Sequence, residues 1–507
     1  MDAGEPFEES SRATENACEW AFLAALLTIT ATITWYVLRG SDNTELPPGP
    51  KGVPILGYIP FLGRNHHLKF AELAKDYGPI VRVKFGMVNV VVLNDYASVK
   101  KWLSHSAFQS RIRNVFCITS GLLGISSLNG DAWWENRRLC IGILRNNGWK
   151  QAVMEEHTKE ELQYLCSKLA EYNGQPLPIK KYAQASCENA IMKLLLSVSY
   201  PFEDPRRMFL DRCISQVGQH IASSSPVAWT PSWLHTIAGY LPCSRVHSFR
   251  SGLRGIVGFV NERIREHQEV LDEYSNLDFT DAYLKETREY RKVSNSHISV
   301  EYAAGHLLVL MSAGTIPVSN SIVWYLLNCA DKPSLQNRIR EEIDTVIGRQ
   351  RAPAWEDRYR MPFTMACIWE TYRWRTINPI GLPRGCEEDT RIGNYVIPKG
   401  TVVLPNLWAV HMNPKVWKDP EVFNPSRFLK GDGSGLIAKP KHFVPFSTGK
   451  RMCPGQAAAN IQIFLYLTGI LQKFHVMPED GVAVDLSSDC VTMNSPKAQK
   501  LRFVPRT

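Results

Sequence analysis

The sequence predicts a mainly α-helical fold with a minor β-sheet, forming a single domain behind an N-terminal transmembrane anchor. Three observations predict it. The segments Lys159–Tyr172, Val257–Glu273, His297–Cys329, Leu335–Ile347 and Thr364–Arg375 repeat apolar residues at the three- and four-residue spacing of a helix face. Short runs rich in β-branched residues and bounded by turn residues occur at Ile80–Gly86, Val88–Asn94 and Gly393–Pro405. Ahead of all of these, Trp20–Leu38 runs for 19 residues without a charge.

That first run has the length of a bilayer core when helical, at a rise of about 1.5 Å per residue. A cleaved signal peptide would want a basic leader and a shorter apolar stretch, whereas this leader carries Asp2, Glu5, Glu8, Glu9, Glu15 and Glu19 against Arg12. The same acids disfavour a mitochondrial transit peptide. Trp20 and Trp35–Tyr36 flank the span as interfacial aromatics do. Arg39, Lys51 and Arg64 follow it, so the positive-inside tendency puts the body of the chain on the cytoplasmic side and the leader in the lumen. Residues 1–39 therefore read as leader and anchor. Residues 40–57 read as a hinge, because Leu46–Gly57 holds four prolines and three glycines that cannot continue a helix.

Residues 58–507 form one unit with no internal repeat, low-complexity tract or evident linker. With 44% hydrophobic and 21% charged residues, a chain of 507 residues can bury a sizeable core. The net charge of +9 is dispersed, without a block of like charges, which excludes a nucleic-acid tail and fits an acidic partner or an anionic membrane face. Twelve cysteines without CxxC or CxxH spacing argue against zinc or a disulfide framework and for a reducing compartment. Glu266–Ser296 is polar, and reads as a loop pair around a helix or a partly mobile crossover.

One cysteine is set apart. In Phe443–Asn460, FVPFSTGKRMCPGQAAAN, Cys453 lies between a doubly basic glycine turn and a proline suited to the first position of a helix. A thiolate ligating a metal needs donors and positive potential, and a helix N-terminus at the sulfur would supply both. Gly449 permits a tight turn, Gly455 a close approach to something flat, and Arg451 a fork of donors for a carboxylate. Phe446 can shield one side of the sulfur.

Phe446, Gly449, Arg451, Cys453 and Gly455 match F-x-x-G-x-R-x-C-x-G, so the chain resembles the cytochrome P-450 family. Other parts of the family pattern follow in order. ETYR supplies Glu370 and Arg373, and FNPSRF supplies Arg427; the family pairs this trio behind its haem. GDAWWENRR contains Trp133 and Arg137, and GLPRGCEEDT contains Arg384, where related membrane enzymes bind haem propionates. The resemblance covers nearly everything from Leu46 onward. EEIDTVIGRQRAP, DFTDAYLKE and FLKGDG are similar to the animal microsomal branch.

The resemblance implies a haem-thiolate monooxygenase that inserts one oxygen atom from dioxygen into an apolar substrate of the steroid, fatty-acid or xenobiotic class. It implies haem b (iron protoporphyrin IX) held by Cys453, with Trp133, Arg137, Arg384 and Arg451 at the propionates and Ala313 and Gly314 lining the distal pocket. Implied partners are NADPH-cytochrome P-450 reductase and cytochrome b5, at the endoplasmic reticulum membrane. Substrate contacts are expected from Ser110–Ser127, Phe202–Tyr240 and Ile377–Leu382.

One element departs. The family's central helix reads A/G-G-x-D/E-T, whose acid and threonine serve proton delivery; here the register is Ala313, Gly314, Thr315, Ile316, Pro317. Proline can neither donate nor relay a proton. Ser319, water or a substrate hydroxyl would then take over. The alternatives are an oxygen-independent isomerase or dehydratase of a lipid peroxide, and a non-catalytic haem-based binder.

Overall fold

The fold comes from a computed structural model that describes residues 24–25, 27–32, 45–54, 56–112, 122–147, 151–222, 240–241, 245–271, 278–290, 292, 295–490 and 493–506. The helices are α1 (His66–Tyr77), α2 (Tyr96–Ser104), α3 (Gly130–Asn147), α4 (Gln151–Glu171), α5 (Ile179–Leu196), α6 (Pro205–Ala222), α7 (Arg245–Val270), α8 (Phe279–Tyr290), α9 (Ala303–Asp331), α10 (Pro333–Val346), α11 (Pro362–Arg375), α12 (Leu407–His411) and α13 (Gln456–Lys473). The strands are β1 (Ile80–Phe85), β2 (Val88–Leu93), β3 (Arg384–Gly385), β4 (Thr390–Ile392), β5 (Tyr395–Ile397), β6 (Val402–Pro405), β7 (Phe474–Pro478), β8 (Ser488–Cys490), β9 (Asn494–Pro496) and β10 (Leu501–Pro505).

The mainly helical expectation holds. The five periodic segments fall on α4, α7, α9, α10 and α11, and the first two β-like runs fall on β1 and β2. The third run, Gly393–Pro405, divides into β5 and β6, because Pro398–Thr401 makes a turn in which Thr401 N–H donates to Pro398 O at 3.1 Å. These two strands join different sheets. β5 pairs with β4, while β6 lies parallel to β2 and antiparallel to β3 in a sheet ordered β1-β2-β6-β3. That register sets Arg384 opposite Val403 and turns a charged side chain inward at the sheet edge.

The largest core gathers around α9, α11 and α13, with Trp324, Tyr325, Ile368, Phe464 and Tyr466 fully buried. α9 is apolar on nearly every face, as a helix must be when neighbours surround it. The stretch Val300–Asp331 is the one helix among the described residues long and apolar enough to cross a bilayer, and 61% of its apolar window is buried in the fold. It is a core helix. Most of the predicted anchor lies outside the described residues. Its described part is helical, with Leu27 and Ile29 exposed, and its threonine hydroxyls donate one turn back, Thr28 to Ala24 O at 2.7 Å and Thr32 to Thr28 O at 2.6 Å.

The proline-rich stretch runs beside β1. Arg82 N–H donates to Pro48 O at 2.8 Å, and Tyr58 N–H donates to Lys84 O at 2.7 Å. Within Glu266–Ser296 the polar sequence conceals a packed helix, α8, whose Phe279, Ala282, Tyr283 and Leu284 are buried. Parts of that segment, 272–277, 291, 293 and 294, lie outside the described residues.

Candidate active site

The ETYR helix builds the wall behind the cysteine loop. Glu370 and Arg373 sit three residues apart on α11 and close a two-pronged ion pair, both contacts 2.7 Å, with neither side chain exposed. Glu370 Oε1 also accepts from Asn424 N–H at 2.9 Å and from Arg427 Nε at 3.4 Å, so the predicted trio assembles. Arg373 donates to His411 O at 3.1 Å. His411, which sequence reasoning missed, carries the connection onward. Its Nε2 accepts from Val444 N–H at 3.0 Å, so its Nδ1 holds the proton and donates to Thr376 Oγ1 at 2.9 Å. Burial, and Arg373 beside it, push the His411 pKa down to about 3, so the ring is neutral and this tautomer persists. α11 is thereby tied to the loop that presents Cys453.

Within that loop, Cys453 N–H donates to Phe446 O at 3.0 Å and Met452 N–H to Gly449 O at 3.0 Å. Gly449 has φ +80°, and a Cβ there would stand 2.4 Å from Leu103 O, so only glycine permits both the turn and the approach to α2. Phe446 packs edge-on against Tyr372, at 5.5 Å between ring centroids. One expectation needs correction. Pro454 is not the first helical residue: Gly455 is the N-cap of α13, and Ala459 N–H donates back to Gly455 O at 2.9 Å. A turn through Pro454 and Gly455 delays the helix, so what meets the sulfur is the Gly455 N–H as well as the helix field.

Cys453 is the sole exposed cysteine among the described residues; Cys140, Cys166, Cys187, Cys213, Cys329, Cys367, Cys386 and Cys490 are buried. Protein nonetheless packs close around the exposed sulfur, and this burial raises its thiol pKa, while the Gly455 N–H and the Arg137 charge oppose the rise.

Beside the cysteine lies a cluster of cations. β3 brings Arg384, α3 brings Trp133 and Arg137, and the cysteine loop brings Arg451. Arg451 stacks 3.8 Å above the Trp133 ring, and Arg137 donates to Met452 O at 2.7 Å. The sequence reading omitted a fourth member, Arg111. It donates to Leu382 O at 2.9 Å, to Pro383 O at 2.6 Å and to Ser126 O at 3.2 Å, bracing the backbone that leads into Arg384. Burial and the neighbouring guanidiniums depress these groups: Arg384 and Arg451 fall to about 9, and Arg111 falls well below its ordinary value. Glu387 offsets this only at Arg451.

Several donors in this cluster are buried without a partner: Arg384 Nε and Nη1, Arg451 Nη1 and Trp133 Nε1. Unpaired buried donors cost about 1–3 kcal/mol each, more when charged. Donors and surplus positive charge together fit a ligand with two carboxylates beside a flat ring system. Haem b meets that description.

α9 passes through Pro317 without leaving helical form. Ala313 is exposed although much of α9 around it is buried. Gly314 serves a different contact: a Cβ on it would stand 2.9 Å from Ile191 Cδ1 of α5, so the missing side chain lets two helices pack. Ser319 is buried and donates to Ile316 O at 3.1 Å. At 100° per residue it lies about 120° around the helix from Ala313, so it does not share that residue's face.

Of the regions expected to touch substrate, 113–121 and 223–239 lie outside the described residues. Phe202 is buried against Tyr164 and Tyr182 and belongs to the core. Ile377 O accepts from Asn494 N–H at 2.8 Å, which seats the β8–β9 hairpin against the stretch after α11.

Comparison with known proteins agrees with this geometry. The Cytochrome P450 family model matches residues 47–502. Cytochrome P450 2C44 of Mus musculus is 33% identical over 496 residues, covering 96% of this chain and 98% of the relative. Cytochrome P450 2H2 of Gallus gallus is 32% identical over 476 residues (92% and 95%), and cytochrome P450 2U1 of Homo sapiens 31% over 485 (89% and 88%). With the cysteine loop, the buried Glu370–Arg373–Arg427 trio and a match over most of its length, the chain belongs to the cytochrome P450 family, haem b oxidoreductases that act as monooxygenases.

Proposed function

We propose that this enzyme inserts one oxygen atom into an apolar substrate of the steroid, fatty-acid or xenobiotic class, using electrons from NADPH delivered by NADPH-cytochrome P-450 reductase, with cytochrome b5 as a second donor. The observation that carries the site assignment is the group of unpartnered donors on Arg384, Arg451 and Trp133 beside the exposed Cys453. Cys453 would ligate the haem iron. Arg137, Arg384, Arg451 and Trp133 would hold the propionates, and Arg111 positions Arg384 through the carbonyls of Leu382 and Pro383.

The haem, when bound, supplies dioxygen activation and electron transfer. The chain supplies the rest. The Gly455 N–H and Arg137 stabilise negative charge at Cys453 Sγ. The arginines neutralise the carboxylates in a site screened from water. Ala313 would line the distal side with a small apolar side chain, while Ile316 and Pro317 leave the family's acid and hydroxyl positions without a proton donor.

The enzyme is anchored by 1–39 in the endoplasmic reticulum membrane, with residues 58–507 on the cytoplasmic side. Exposed Arg138, Arg145 and Lys450 form the basic face for an acidic reductase. Family membership favours this reading over the rearrangement of a lipid peroxide. The deciding experiment compares product spectra from a lipid and xenobiotic library under NADPH plus reductase with those under organic hydroperoxide. Oxygenated products that require dioxygen and NADPH are expected; hydroperoxide consumption alone, without NADPH, would overturn the proposal.

A further inference from the structure

Pro317 does more than remove a hydroxyl. In an α-helix the carbonyl of residue i accepts from the N–H of residue i+4, and proline has none, so the Ala313 carbonyl loses its helical donor. At 100° per residue, position 317 lies 40° around the helix from position 313, so this acceptor shares the face on which Ala313 is exposed.

The hydroxyls nearby on α9 are occupied or turned elsewhere. Ser312 donates to Leu308 O at 2.8 Å, Ser319 to Ile316 O at 3.1 Å and Ser321 to Pro317 O at 2.8 Å. Thr315 is buried, 200° around the helix from Ala313. Ile316 and Pro317 have no side-chain donor at all. This face of α9, which the proposed site sets on the distal side of the haem, therefore offers a backbone acceptor and no donor.

We infer that the substrate carries a hydroxyl of its own, and that this hydroxyl donates to the Ala313 carbonyl when the substrate binds. The class is thus an apolar alcohol, such as a hydroxylated sterol or lipid, rather than a plain hydrocarbon. Its oxygen keeps lone pairs free to accept from water, which restores a polar group to a face the chain leaves without donors. The inference rests on the haem-site assignment above but not on the identity of the product.

The test is a spectral binding titration of the full-length, haem-loaded enzyme in lipid nanodiscs. Its probes are sterol 3-alcohols and long-chain fatty alcohols, each matched with its deoxy analogue and its methyl ether. At least one alcohol should bind about three- to tenfold more tightly than both partners, the effect of a single net hydrogen bond. The methyl ether keeps the oxygen but cannot donate, and should behave like the deoxy compound. Pro317→Ala restores the N–H to the Ala313 carbonyl with a better helix former. In that variant the alcohol's advantage should shrink to within about twofold, while affinity for the deoxy analogue holds.

A panel in which no alcohol outbinds its ether overturns the inference, and so does an advantage that survives Pro317→Ala. If Pro317→Ala fails to load haem, the wild-type alcohol-to-ether ratio decides alone. Dioxygen-dependent turnover without any alcohol preference would leave the monooxygenase proposal standing and remove this one. An alcohol preference without NADPH-driven product would do the reverse.

Discussion

Replacing Arg384 by methionine should move the haem-free and haem-loaded proteins in opposite directions. Arg384 is 2% exposed, two of its donors lack partners, and burial with Arg137 nearby brings its pKa to about 9. In the unfolded chain the guanidinium keeps its ordinary, much higher value and binds its proton more tightly. The haem-free fold therefore carries a penalty that is fully present below about pH 9 and fades only as pH rises above 9 toward the ordinary guanidinium range. At neutral pH that depression corresponds to at most about 5 kcal/mol. An apolar side chain of similar length should recover part of it, about 1–4 kcal/mol by analogy with buried ion clusters replaced by apolar residues. With haem present the same donors meet a carboxylate, and losing two charge-assisted hydrogen bonds should cost about 3–6 kcal/mol, or roughly 10²- to 10⁴-fold in haem retention. Denaturant unfolding of the haem-free chain and haem transfer to apomyoglobin measure the two effects separately. Arg384→Met that destabilises the haem-free chain, or that retains haem as tightly as wild type, would refute the carboxylate assignment.

Cys453→His should abolish the red-shifted absorption of the reduced, carbon monoxide-bound protein while leaving the fold intact; persistence of that band would remove Cys453 as ligand. Acid should destabilise the enzyme through its buried neutral histidines: His306 and His411 have pKa values lowered by burial to about 3, and His67 to about 4. Each binds protons more readily when unfolded, so stability is complete above about pH 6.5 and falls toward pH 4, by about 2–3 kcal/mol per histidine at pH 4.5. Thermal melts across that range, with His411→Gln flattening part of the slope, check the sign. Deleting residues 1–39 should release the protein from membranes with haem still bound, as fractionation and the carbon monoxide spectrum would report. Reductase coupling should weaken as salt rises and in Lys450→Glu, since the proposed docking face is basic; steady-state kinetics insensitive to salt would count against that face.

The legible parts of this protein are those in which function is encoded by neighbours in sequence. Phe446 to Gly455 lie within one loop, and Glu370 and Arg373 within one helical turn, so fixed spacing reveals them before any fold is known. The long helix α9 is legible by its length and apolar content, since it is apolar on nearly every face. Shorter elements such as α1 and α2 span only 12 and 9 residues, too few for an apolar face to stand out from the loops around them, and in α8 the charges of the exposed face dominate the composition.

Arg111 and His411 were illegible for a different reason. Arg111 is polar, sits in a loop and looks solvated; only the fold brings the carbonyls of Leu382 and Pro383 to its guanidinium, 271 and 272 residues away in sequence. His411 lies at the end of the five-residue helix α12, with nothing local to separate it from a surface histidine. Its role appears when Arg373, Thr376 and Val444 converge on it from two other segments. In both cases a buried polar side chain satisfies backbone atoms of a distant segment, and such bonds leave no spacing pattern. Gly314 shows the same limit: the sequence shows a small residue beside Ala313, but only the packing of α9 on α5 shows that Ile191 occupies the space a side chain there would need. Ile316 and Pro317, which follow within one turn, are where the central helix of this chain departs from the family pattern, with an apolar side chain and a proline in place of an acid and a hydroxyl.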